Sequence, residues 1–436
     1  MTDTGIKTYP PSGTRDFFPE NMLFRNWLID MWDSVAQQNA FKEYDAPVLE
    51  HADLWTKKTG GTDILNEMYA FTMDGINLTL RPEITPQLAR MMLSYLPTQV
   101  LPVKLYSTPQ CWRYETVSKG RRREFYQWNV DIFGGTPVKS EVEIFNVIVT
   151  FLKNIGLTSN DVVIRVANRQ ILEKVLLKRG VSSENILPAF LIIDKMEKLS
   201  KEEFSKELRE KINMSDEDIE TIYQLTTVKT TDELKKFLGE DDVTCKQMET
   251  IFKYCEELGF GDWLQLDLSI VRGLAYYTGV VFEGFFKNSE LKRAILGGGT
   301  YDDMMESYGY SERVSGIGFG LGDVVIFEVL KELDRLPDLK LNMDYVIIPF
   351  DDSLYVDACK IANMLRNKNK TVDVYSKPGK RSNAFSYADR KNAQYVIFVA
   401  PTEWKNKQIV VKDLRMGTDK SVKQITVDLD QYVLNI

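Results

Sequence analysis

The stretch EFYQWNVDIF, residues 124–133, restricts this chain more than any other. Side chains along a β-strand alternate between two faces. Read as a strand, it puts Tyr126, Trp128, Val130 and Ile132 on one apolar face and Phe125, Gln127, Asn129, Asp131 and Phe133 on the other. The second face is polar where a core strand would be apolar. Such a strand fits a sheet with one face on a core and the other on a binding cleft, or else on solvent with surface ion pairs. Just before it, CWRYE (111–115) sets Arg113 and Glu115 on the face of Cys111, and the loop between holds GRRR (120–123). Paired as a hairpin with these faces coincident, the two strands would bring Arg113, Glu115, Phe125, Gln127 and Asp131 to one surface, with Arg121, Arg122 and Arg123 at its lip. Arginines bind phosphate bidentately and phenylalanine offers a stacking face, so the surface suits a ligand with an anionic part and a flat ring.

Composition removes several other chemistries. The four cysteines, Cys111, Cys245, Cys255 and Cys359, form no C-x-x-C pair, so they read as reduced, mostly buried thiols rather than a disulfide framework or zinc site. The one histidine, His51, reads as an exposed helix-start residue; a His-rich metal site or a Ser-His-Asp triad would need it. A net charge of −8 argues against a coat for nonspecific nucleic-acid binding while leaving room for a local basic site. No run of about 18 apolar residues occurs, and MTDTGIKTYPPSG lacks the regions of a signal peptide, which points to a cytoplasmic protein and no membrane. ILGGGTYDD (295–303) lacks the G-x-G-x-x-G spacing and no Walker lysine motif is present, so any nucleotide must be held by another architecture.

At 436 residues about two to three domains are expected. Residues 20–40 have mostly helical apolar spacing, and FKEYDAPVLE (41–50) reads as extended because Pro47 disfavours helix before it. Strands follow around an Asp74-Gly75 turn, then a helix that Thr85 could cap. Helical spacing returns over 138–156, and a strand and helix follow it. Strand character is expected at 264–283, 293–300 and 314–321, the last leading into the helix DVVIFEVLKEL (323–333) that Asp323 is expected to cap. The expected division is 1–170 with 259–333 as one domain, 171–258 as a Lys/Glu-rich helical insertion, and 343–436 as a small α/β domain after the linker DRLPDLKLNMD.

Taken in order, these segments resemble the histidyl-tRNA synthetases, a family of class II aminoacyl-tRNA synthetases, over nearly the whole chain. SGTRDFFPE (12–20) is similar to the family's N-terminal signature, the 20–50 segment to motif 1, RPEIT (81–85) to its amino-acid loop, and CWRYE…GRRREFYQ to motif 2. VRGLAYYTGVVFE (271–283) is similar to the histidine-specific segment, GGGTYD to the strand before motif 3, and the last unit to the anticodon-binding domain. The resemblance implies an α+β fold: an antiparallel sheet flanked by helices, a helical insertion near the tRNA acceptor stem, a C-terminal α/β anticodon-binding domain, and a homodimer built on motif 1. It implies ATP with Mg²⁺, histidine and histidine tRNA as ligands; which residues hold the metal is unknown.

Residue by residue, the resemblance implies Arg113 at the ATP α-phosphate, Glu115 on the adenine side, Arg121 at the γ-phosphate, Phe125 stacked on adenine and Arg123 as a further phosphate-side group. Glu83, Thr85 and Gln127 would hold the α-ammonium of histidine; Asp131 and Tyr277 would read its imidazole, Tyr276 would be a further histidine-binding residue, and Tyr301 would close the pocket. Arg272, between substrate carboxylate and α-phosphate, would be catalytic together with Arg113, leaving Arg122 to face tRNA or solvent. Carboxylate attack on phosphorus needs alignment and cancellation of negative charge rather than a protein nucleophile. Three positions depart from the family pattern: Val325 replaces an arginine that clamps ATP, Ala275 an aspartate, and Asp131 a frequent glutamate. Either another cation substitutes at Val325 or nucleotide binding is weakened. The rival function is a catalytically idle histidine-binding regulatory subunit or uncharged-tRNA sensor. Such a relative would usually lack the anticodon domain, which is present here.

Overall fold

Alternating polarity at 124–133 produces the longest strand of a nine-stranded sheet in the computed structural model, which describes residues 7–56, 62–196, 199–271, 276–289, 291, 293–377, 381–415 and 424–436. The sheet's strands are β1 (Lys42–Glu43), β5 (Val103–Ser107), β6 (Gln110–Trp112), β7 (Glu124–Phe133), β8 (Val162–Asn168), β9 (Leu264–Leu266), β10 (Val280–Phe286), β11 (Ala294–Thr300) and β12 (Gly316–Gly322). Their order is β1-β5-β7-β12-β11-β10-β8-β9, with β6 beside the start of β7. All pairs are antiparallel except β1 with β5 and β8 with β9 at the two edges. A separate three-stranded sheet, β2 (Leu49–His51), β4 (Ile76–Leu80) and β3 (Tyr69–Met73), turns at Asp74-Gly75, both in the positive-φ conformation that such a tight hairpin needs.

The apolar face of β7 forms the core. Trp128 stacks on Trp32 of the Pro19–Gln38 helix at 6.3 Å, meets Phe151 of the Lys139–Asn154 helix at 5.4 Å, and meets Phe319 of β12 edge-on at 5.2 Å. Across β7 and β12 the register pairs Leu321 with Trp128, Phe319 with Val130 and Ile317 with Ile132, so the greasy residues of both strands face one way. The polar residues of β7 are thereby committed to the opposite face.

The helical insertion expected at 171–258 connects the neighbouring parallel strands β8 and β9, a pairing that requires a crossover. Its helices carry strong start signals: capping boxes at Ser200/Glu203 and Thr230/Glu233, and side-chain caps from Ser215 and Asp242. The chain divides into two compact units, one of Met1–Asp16 with Arg25–Pro337 and one of Phe17–Phe24 with Asp338–Ile436. The second holds a five-stranded sheet ordered β14 (Val372–Val374), β13 (Met343–Pro349), β15 (Ala393–Val399), β16 (Gln408–Asp413), β17 (Gln424–Asp428), parallel in its first three strands. One side packs Ile347 and Val411 against Ala358 and Leu365, and the other packs Val346 and Val396 against Ala384 and Ala388.

Four local expectations require correction. The Thr85–Tyr95 helix has Ile84 at its cap with no side-chain bond, and Thr85 is its first residue. Gly322, not Asp323, occupies the cap of the Asp323–Glu332 helix. His51 is exposed but closes strand β2 instead of starting a helix. Strand structure does not run through 264–283: β9 ends at Leu266, where Asp267 Oδ1 accepts from Ser269 N and Oγ and turns the chain. The four cysteines are free, three of them buried, and among the described residues no helix is long and apolar enough to cross a membrane.

Candidate active site

The polar face of β7 runs through two linked environments. At its start, Phe125 and Gln127 line an open cleft of about 350 Å³ together with Arg113, Glu115, Arg121, Arg122, Glu283, Arg293 and Val325. β6 pairs Cys111 with Phe125 and so delivers the following Arg113 and Glu115 to this cleft. Arg113 Nε donates to the Pro82 carbonyl at 2.9 Å while its guanidinium lies 5.4 Å from the Phe125 ring centre. Arg121 pairs with Glu115, and Arg113 Nη1 stands 4.0 Å from the same carboxylate. One carboxylate thus orders two arginines beside an aromatic ring, an arrangement suited to a phosphorylated, flat ligand.

Further along β7, Asp131 is buried beneath Tyr301, whose hydroxyl donates to Oδ1. Burial pushes the Asp131 carboxyl up to about 7, opposed by that hydrogen bond. Asp131 Oδ2, Asn129 Oδ1 and Gln127 Oε1 are buried and accept no hydrogen bond from the described residues. Three acceptors along one strand face call for a ligand rich in N–H donors. Tyr276 reaches the same region: its hydroxyl donates to Glu83 Oε2 at 3.3 Å, and its ring lies 4.8 Å from Tyr277 and 6.2 Å, edge-on, from Tyr301. Thr85, two residues beyond Glu83, is buried with it.

The floor beneath both environments is β12, GIGFGLG, in which every second residue is glycine. A Cβ on Gly318 would lie 2.3 Å from Asp131 Oδ1 and 2.7 Å from Tyr301 Oη, and one on Gly316 would strike the Tyr301 ring at 2.5 Å. The period-two glycine pattern is visible in the sequence and marks the ligand side of this strand.

Of the residues expected from sequence, Arg113, Glu115, Arg121, Phe125 and Gln127 share the cleft, and Glu83, Asp131, Tyr276, Tyr277 and Tyr301 cluster beyond it. Arg123 is turned elsewhere: its guanidinium covers the Tyr114 ring at 4.0 Å and Nε donates to the Glu115 carbonyl at 3.1 Å. Arg122 lines the cleft in its stead, contrary to the expectation that it faces away. Arg272 lies outside the described residues. Arg81 is structural, donating to the Ala46 and Gln110 carbonyls and pairing with Asp45 at 2.8 Å.

Sequence reasoning passed over Arg15. It pairs with buried Glu124 at 2.6 Å and with Asp323 at 2.9 Å, while Asp323 Oδ1 accepts from Tyr126 N at 2.9 Å. Asp323 therefore ties the helix start and the first residues of β7 together. The only sequence signal for Arg15 is its place in SGTRDFFPE.

A family model described as histidyl-tRNA synthetase matches residues 13–324, which hold every named residue of this site except Val325. The chain belongs to the histidyl-tRNA synthetase family. A model described as an anticodon binding domain matches residues 344–436. Among relatives, the chain is 41% identical to a chloroplastic/mitochondrial histidine–tRNA ligase of Arabidopsis thaliana over 96% of this chain and 85% of that protein. It is 34% identical to the histidine–tRNA ligase of Haloquadratum walsbyi over 94% of each. In fold it is similar to a histidyl-tRNA synthetase from Nostoc, with TM-score 0.78 and 22% identity over 99% of both chains. A Bacillus halodurans structure titled as an ATP phosphoribosyltransferase regulatory subunit/histidyl-tRNA synthetase covers 90% of this chain and 98% of its own, with TM-score 0.73 at 20% identity. Membership of the histidyl-tRNA synthetase family implies use of ATP.

Proposed function

We propose that this protein is a histidine–tRNA ligase, which joins histidine to ATP as histidyl-adenylate with release of pyrophosphate, then transfers histidyl to the 3′ end of its tRNA. The observation that supports this most is the single face of β7, on which a phosphate-and-ring cleft at Phe125 leads to the donor-seeking acceptors ending at Asp131. ATP at one end and histidine at the other would meet near Gln127.

In this reading Phe125 stacks on adenine, Glu115 faces its amino group, Arg113 holds the α-phosphate and Arg121 the γ-phosphate. Glu83, Thr85 and Gln127 receive the α-ammonium; Asp131 accepts the imidazole N–H, Tyr276 and Tyr277 flank the ring, and Tyr301 closes the pocket while fixing the Asp131 carboxylate. Arg272 is assigned by resemblance to the reacting phosphate, with Arg113. The substrate carboxylate attacks the α-phosphorus, the bond to pyrophosphate breaks, and the arginines cancel the charge that grows on the phosphate oxygens.

Magnesium fits as an ion that arrives on ATP. The cleft has two wall carboxylates, Glu115 and Glu283, and among the described residues no group of three ligating side chains could hold a metal by itself. Magnesium would neutralise the phosphates. Residues 1–170 with 259–333 are read as the catalytic domain, 171–258 as contacting the acceptor stem and 343–436 as reading the anticodon. Homodimerisation through the 20–50 segment is supported by exposed Val48 and Leu49. The free cysteines accord with a cytoplasmic location.

The test is charging of histidine tRNA by the purified protein. Histidyl-tRNA formed from ATP, histidine and the cognate tRNA is the expected result; its absence under conditions where histidine and ATP both bind would overturn the reading.

A further inference from the structure

Val325 leaves the nucleotide cleft without the arginine that the family places there. Arg293, the residue before β11, enters the same cleft. The two side chains flank one point: a Cβ on Gly120 would lie 3.7 Å from Arg293 Cδ and 3.7 Å from Val325 Cγ2. Gly120 itself has φ +77°, which carries the arginine loop across this spot without a side chain in the way.

The charge pattern is unbalanced. Arg113, Arg121, Arg122 and Arg293 line the cleft against the carboxylates Glu115 and Glu283. Glu115 is already claimed by Arg121, whereas the half-buried Arg293 guanidinium makes no hydrogen bond or ion pair among the described residues. Burial lowers its pKa, Arg121 lowers it further, and Glu115 only partly opposes them. Two guanidiniums held within electrostatic reach of each other, with one carboxylate between them, are costly until a multiply charged anion joins them. Such a convergence in a chain of net charge −8 is local and specific.

We propose that Arg293 supplies the cation missing at Val325 and binds the terminal phosphates of ATP beside Arg121. The inference rests on the reading of this cleft as the ATP site. It places the clamp just ahead of the strand that carries the glycine run instead of on the helix after β12. Arg113, close to the Phe125 ring, would keep the α-phosphate, so Arg293 distinguishes ATP from AMP.

The test compares wild-type protein with Arg293→Ala, Arg293→Gln and the double variant Arg293→Ala/Val325→Arg. ATP and AMP dissociation constants are read by calorimetry, and KM values for ATP and histidine by pyrophosphate exchange. The single variants are expected to weaken ATP by roughly tenfold to hundredfold, as for loss of a charge-assisted contact, while AMP affinity and the histidine KM change by less than about threefold. The double variant should recover most of the ATP affinity. Unchanged ATP binding, equal weakening of ATP and AMP, or no recovery by Val325→Arg in a protein with wild-type melting would overturn the proposal. If the wild-type protein binds no ATP, the nucleotide reading itself fails, which is a different result from an indifferent Arg293.

Discussion

Tyr301, the residue after β11, donates its hydroxyl to the Asp131 carboxylate near the end of β7, across 170 residues of sequence. The bond holds one carboxylate oxygen and leaves the other without a partner among the described residues, buried at the end of the polar face. A carboxyl kept at about 7 by burial is stabilised in its ionised form when a ligand N–H reaches it.

Asp131→Asn tests this trade between stability and binding. Because the folded pKa is raised, the native state keeps between pH 4 and 7 a proton that the unfolded state releases, so the carboxylate lowers stability increasingly through that window. The variant is expected to be more stable than wild type at pH 8 by on the order of 1 to 3 kcal/mol, with little difference at pH 4. Its histidine affinity should fall at least about tenfold at pH 8, because a charged acceptor is replaced by a neutral one. Denaturation curves and calorimetric titration at both pH values check the two halves; a variant no more stable at pH 8 than at pH 4, relative to wild type, would refute the burial argument.

Gly318→Ala should separate the histidine end from the nucleotide end. The added carbon would sit 2.3 Å from Asp131 Oδ1 and 2.7 Å from both Tyr301 Oη and the Val130 carbonyl, so the carboxylate and phenol must part. The expected result in steady-state kinetics is a histidine KM raised about tenfold or more with the ATP KM little changed, and a stability loss of about 1–3 kcal/mol from overpacking. Equal changes in both KM values would contradict the two-environment description.

Arg15→Ala removes the partner of Glu124 and Asp323, both buried, and strands two carboxylates. A loss of about 3–5 kcal/mol at pH 8 is expected in urea unfolding. Asp323 is already shifted upward, chiefly by burial. Lowering the pH should let the stranded carboxyls take up protons and shrink the deficit. A deficit that does not change with pH would show that the charges are not its cause.

Parity along β7 was legible because a two-residue period is a local property: Trp128 and Asp131 point where EFYQWNVDIF says they should. That rule does not reach the loop arginines. β6 ends at Trp112, and the loop closes through a Ser118–Arg121 bridge with Gly120 at positive φ, so Arg122 and Arg123 no longer follow strand alternation. Asp323 looked like a cap because capping is local, whereas its actual partner, Arg15, is distant in sequence. The contact of Arg293 with the space beside Val325 likewise depends on how β11 and the Asp323–Glu332 helix come together. The glycine alternation of GIGFGLG, by contrast, was open to reading and already marks the floor of the site.

The most direct measurement is exchange of labelled pyrophosphate into ATP by the purified protein without tRNA. The expected result is exchange that requires histidine and is not supported by other amino acids, since the Asp131–Tyr301 end of the site would select the imidazole. Histidine binding with no exchange would contradict the account and leave a regulatory subunit or tRNA sensor built on a synthetase fold.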